Sequence, residues 1–399
     1  MRSLAAAVAL FFSAIASAQI PGALQVLETR TFHTDGSPTQ AIWTPDGQYI
    51  LVAVTQGRGY GSGIEVFHVE GDKLKRVALN PLGDEPPQSI LLLPNTRTVA
   101  VGISNNGVAF LPLDPLIKGR AAAHIIPQGD HPASGELAVT SDGKTLFVAN
   151  ENLHGGAVGV IALRHDPKGQ LAPIPIGQIP MPLGTPGIAV TPDGKRLYAL
   201  DEILSQNVPQ TLPGHDIPEL QREGCVETPL GRPDHNGGLF VIDAARASAP
   251  TNDFSPQQVR DATLRIVNAG CAPARVALSP NGHTVYVTAR GDNNILVFDA
   301  DDLEHKPDRA FISSIPIGGF APVGIALFDH DRKLLIANSS RFETGPGSAV
   351  VIDLTAAGYP ILQTIPTGDA PRNITVSPDG RSLLLTVYGS DEIMILTMK

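Results

Sequence analysis

The sequence predicts an all-β fold: a seven-bladed β-propeller of four-stranded antiparallel blades, its ring closed by an N-terminal strand that completes the last blade. Three observations predict it. A unit of about 45 residues recurs seven times along the chain. Each unit carries four short apolar runs separated by turn residues. The last unit lacks its fourth run, and an unpaired run precedes the first unit.

The unit opens on a Gly with a Pro within three residues, followed by an apolar run, a turn of the Pro-Asp-Gly type and a second apolar run. It starts at Gly36, Gly83, Gly129, Gly184, Gly270, Gly319 and Gly368. In the fifth unit the four strands are expected at Arg275–Leu278, Thr284–Thr288, Ile295–Asp299 and Phe311–Ile315. Val, Ile and Leu fill these runs because branched side chains suit a pleated surface. The turn has its own logic: Pro presets the second position, Asp bonds the backbone ahead, and Gly accepts a positive φ. The seventh unit stops after three strands, and Leu24–Thr31 supplies the missing outer one. That pairing hides two sheet edges.

The ends and the composition limit the setting. Met1-Arg2-Ser3, the apolar run Leu4–Ala16 and the small-x-small triplet Ala16-Ser17-Ala18 read as a secretory signal over residues 1–18, cut before Gln19. Residues 19–399 then form one propeller, expected outside the cytoplasm (extracellular or periplasmic), without a membrane span, and monomeric. Hydrophobic residues make up 42% and charged ones 17%, ample for a core. The net charge of −10 and the lack of a basic block fit no nucleic-acid partner.

The units resemble the YVTN-type β-propeller repeat, with LSPNGHTVYVTARGDNNILVFDA (Leu278–Ala300) the best match. The broader group is similar to the seven-bladed lactonases and carboxymuconate cyclases of the phosphogluconolactonase-like superfamily. The resemblance spans nearly all of residues 19–399, and its matching residues are structural. It implies that the first strand of each unit, strand A, lines the central channel.

Strand direction reverses at every turn, so the A–B turns and C–D loops share one side. The B–C loops and the links between blades share the other, which the resemblance makes the channel mouth. The aligned position at the start of strand A is Gln40, Ser89, Glu136, Gly187, Arg275, Gly324 and Asn373 in blades one to seven, with His131 and Arg372 beside that column. At the end of strand B stand Glu151, Glu202, Arg290 and Tyr388. Blade four carries an insertion, residues 203–236, rich in Pro, Gly and charge, which this alternation also places at the mouth. Cys225 lies in it and Cys271 in the following link, so a Cys225–Cys271 disulfide is expected to tether it.

No zinc-type Cys or His spacing, P-loop or nucleophile elbow occurs, and no cofactor or metal is expected. What remains is a constellation at the mouth. Glu136, Arg275, His131 and Arg372 are the catalytic candidates; Gln40, Glu151, Arg290, Asn373 and His235 are the ligand-binding ones. Arginines grip carboxylates or polarise carbonyls, and a Glu or His nearby can serve as base. Two readings stand. One is a binding module for a small anionic or lactone-like ligand, or for a protein or glycan partner. The other is a lactonase or cyclase acting on a carboxylated lactone. The same residues can also serve as ion pairs stitching neighbouring blades. The sequons at Asn338 and Asn373 bear on the choice, since a glycan at Asn373 would sit at the mouth.

Overall fold

The computed structural model describes residues 26–128, 134–151, 156–182, 184–202, 236–249, 262–340 and 345–398. They form seven four-stranded antiparallel sheets, each with its strands in sequence order apart from the last. In that sheet the N-terminal strand Val26–His33 pairs antiparallel with Glu392–Met398, as the orphan run predicts. The fifth blade comprises Pro273–Leu278, Thr284–Ala289, Asn294–Asp299 and Phe311–Pro316, within two residues of the expected bounds.

The core lies between blades rather than inside one. On strand B of blade one (Tyr49–Gly57), Leu51 and Ala53 pack with Ile90, Val99 and Val101 of blade two. Ile50, Val52 and Val54 pack with Leu384, Ile393 and Ile395 of blade seven. Period-two alternation sends successive side chains to opposite neighbours, and both faces are buried. The central strands therefore read as continuous apolar runs rather than as alternating ones. Each fully buried Leu, Ile or Val contributes about 1.5–3 kcal/mol.

The A–B turns repeat one hydrogen-bond pattern. In blade one, Thr44 Oγ1 donates to Asp46 Oδ1 (2.6 Å), Gln48 N donates to the same oxygen (3.0 Å), and Tyr49 N donates to Thr44 Oγ1 (3.0 Å). Gly47 takes φ +68° there. The pattern recurs at Asp142, Asp193, Asn281 and Asp379. The acidic run at Asp299–Asp302 has a local role too: Asp299 caps the short helix Ala300–His305 by accepting from Asp302 N.

Strand B of blade four ends at Asp201 and strand C begins at Asn236, opposite Cys271 at the end of strand D. Residues 203–235, Cys225 and His235 among them, lie outside the described residues, as does His131. So do residues 1–25, which carry the expected export signal. Among the described residues no helix is long and apolar enough to cross a membrane.

Candidate functional site

The mouth is built by an irregularity of strand A. In blades two, five, six and seven the strand begins at a proline (Pro87, Pro273, Pro322 and Pro371), and in blade one Pro38 is its second residue. The register to strand B shifts immediately after it in each. Proline offers no N–H to the ladder, and such a bulge re-aims the next side chains. The aligned column sits where the pleat is broken, so its residues point in different directions.

Some of them turn sideways and join blades. Gln40 Oε1 accepts from Ile90 N (2.9 Å), and Glu136 Oε2 accepts from Ile188 N (3.1 Å). Arg275 Nη1 donates to Pro186 O (2.6 Å) and Ala274 O (2.9 Å). Glu136 and Arg275 also face each other, Oε1 to Nε at 3.6 Å, across Gly187 of blade four. A Cβ at Gly187 would lie 2.7 Å from Ala274 O and 3.2 Å from Glu136 Oε2, so the side-chain-free position lets blades three and five meet. Burial pushes the Glu136 carboxyl above its ordinary value; Arg275 and the Ile188 N–H pull it the other way.

A cavity of about 330 Å³ opens on the axis, lined by Arg275 of that column together with Arg290 and Arg372, and with Glu151 and Tyr388. Arg290 pairs with Glu202 of blade four, and both are largely buried. The Arg372 guanidinium lies 4.7 Å from the centre of the Tyr388 ring, a cation–π contact. Glu151 is the exposed carboxylate on this wall. Every blade contributes to the lining, which places the cavity on the ring axis, on the side of the B–C loops.

The chain is a seven-bladed β-propeller. No family model matches it, and no curated protein does. Among solved structures it is similar to a chain of hydrazine synthase from Kuenenia stuttgartiensis, with TM-score 0.62 and 16% identity over 92% of this chain and 97% of that one. It is also similar to a chain in a mitotic checkpoint complex, with TM-score 0.62 and 14% identity over 99% of each. Likeness at these identities carries the fold and no activity.

The propeller thus brings Arg275, Arg290, Arg372 and Glu151 to one cavity. Gln40, Glu136 and Asn373 do not line it. Asn373 donates its backbone N–H to Thr386 Oγ1 (3.1 Å), and its buried Oδ1 has no hydrogen-bond partner among the described residues. Sequence reasoning gave no role to Glu202 or Tyr388, the partners of two of the arginines, although both stand in the aligned pairs that end strand B. Thr39 and Gln88 also line the cavity from positions beside the strand A column, and Ser339 does so from the position in blade six aligned with Glu151 and Arg290. Among the described residues no cluster of His, Cys, Asp and Glu could hold a metal ion.

Proposed function

We propose that this is an exported propeller of the YVTN, lactonase-like group that binds a small anionic or lactone-like molecule at the channel mouth. The observation that carries this reading is the convergence of Arg275, Arg290 and Arg372 on one cavity. Three guanidinium groups gathered around one cavity suit a carboxylate or a lactone carbonyl, which their planar forks of N–H donors match in geometry and charge. The cavity volume is within the range that small ligands fill. A Cys225–Cys271 disulfide would tether the blade-four insertion beside the opening.

The lactonase or cyclase reading draws on Glu151. Its carboxylate shares the cavity with the three arginines, so a base and carbonyl-polarising groups stand on one wall. The deciding experiment is calorimetric titration with muconolactone, gluconate and glucono-δ-lactone, alongside an assay of lactone opening. Arg372→Ala is expected to weaken anion binding by about tenfold or more, the worth of a charged hydrogen bond. Glu151→Gln is expected to retain binding and to lose any lactone opening. If none of the three compounds binds, the mouth does not recognise this chemistry.

A further inference from the structure

The far side of the ring, opposite the mouth, carries a second cavity of about 510 Å³ at the seam between blades seven and one. The closing strand supplies Arg30 and Phe32 to it, strand A of blade one supplies Trp43, and the outer hairpin of that blade supplies Asp72 and Lys73. The A–B turns of blades one and seven bring Asp46 and Asp379 to its edge. An equivalent cavity of about 470 Å³ between blades three and four has the same kind of turn at its edge and no aromatic residue in its lining. The aromatic wall therefore distinguishes the closing seam from the one between blades three and four.

Two features of this wall define a ligand chemistry. Trp43 and Phe32 offer flat apolar surface. Around them stand cations (Arg30, Lys73) and carboxylates (Asp46, Asp72, Asp379), so an ion of either sign meets repulsion as well as attraction. Neighbouring hydroxyls and turn amides hold the Asp46 and Asp379 carboxyls below the ordinary range, which keeps them charged at neutral pH. Arg30 Nε stands 3.6 Å from Glu28 Oε1, and its Nη2 donates to Thr397 Oγ1 (3.2 Å), so the cation is fixed at the edge of the wall. A neutral polyol satisfies such a mixture, because each hydroxyl donates to a carboxylate and accepts from a cation. A pyranose also has a C–H face that lies flat on an aromatic ring. We propose that the seam cavity is a saccharide site, taking a neutral sugar ring stacked on Trp43 with its hydroxyls directed to Asp72 and Lys73.

Trp43 is the single tryptophan of the chain, so its emission reports on this cavity directly. The experiment titrates the full chain with cellobiose, lactose and chitobiose, following Trp43 fluorescence and binding heat. The expected result is a saturable emission change with at least one sugar. Asp72→Ala combined with Lys73→Ala, on an exposed hairpin away from the core, is expected to weaken that binding by about tenfold. Trp43→Phe is expected to weaken it too, read by calorimetry. Absence of saturable change with all three sugars overturns the proposal. So does a sugar affinity that is the same in wild type, the double variant and Trp43→Phe.

Discussion

Glu136 shows how one residue can look catalytic in a sequence and act as a joint in the fold. Its carboxylate takes the N–H of Ile188 and faces Arg275, so it closes a contact among three blades. A carboxyl whose folded value is raised binds its proton more readily when folded than when unfolded. Its contribution is therefore most favourable at low pH, and is lost as pH rises from the unfolded value of 4.5 through the raised folded one. Glu136→Gln keeps an acceptor for Ile188 N and removes the titration. Its stability relative to wild type is expected to improve as pH rises above 4.5, measured as denaturant midpoints between pH 4 and pH 8. A constant difference across that range would contradict the assignment. At the same scale, Asn338 of the first sequon is 1% exposed inside strand B and offers no accessible acceptor for a glycan.

The element that repeats most faithfully is the A–B turn, and its aspartates carry the opposite pH sign. Asp46, Asp142, Asp193 and Asp379 are each lowered, first by the hydroxyl two residues before and then by a turn amide. The stability they contribute is present above the unfolded value of 3.8 and is lost as pH falls below it through the folded values. These side chains are largely in water, which screens each effect. Blade five contains its own control, because Asn281 makes the same bonds from Ser279 Oγ (2.7 Å) and His283 N (3.0 Å) without titrating. Asp379→Asn is therefore expected to leave stability at pH 7 within about 0.5 kcal/mol. It should also move the acid-unfolding midpoint to lower pH, followed by far-UV circular dichroism. An unchanged acid midpoint would remove the turn from the account of acid stability.

At the scale of the whole molecule the seam between blades seven and one differs from the other six. Strand Val26–His33 completes blade seven, and Ser37 Oγ bonds Asp391 Oδ1 (2.8 Å) just after it. Below the link lies Glu65, fully buried, accepting from Asp35 N (2.9 Å) and Tyr60 Oη (2.8 Å). Arg76 reaches both Asp35 and Glu65. The positions aligned with Glu65 in blades five and six are Leu296 and Val350, so a buried acid marks the closure and not the repeat. A chain beginning at Thr34 would leave strand Glu392–Met398 as a bare edge, an invitation to edge-to-edge pairing. It is expected to lose its single cooperative melting transition and to elute as larger species in size-exclusion chromatography. A truncated chain that stayed monomeric with an unchanged Tm would show that the closing strand is dispensable.

The repeat, its turns and the unpaired terminal run were sufficient by themselves to determine seven blades, four strands in each, and the strand that closes the ring. These are local or periodic properties, and each blade restates them. Strand alternation was also enough to collect Arg275, Arg290, Arg372 and Glu151 at one end of the channel. Which side chains face the cavity was decided by the tertiary structure alone. The register shift near the start of strand A turns Gln40 and Glu136 into their neighbours, and a residue's aim at a bulge depends on the strand beside it. The cavity at the closing seam was equally invisible in the sequence. Arg30, Phe32, Trp43 and Asp379 come from opposite ends of the chain, and only closure of the ring brings them within reach of one ligand.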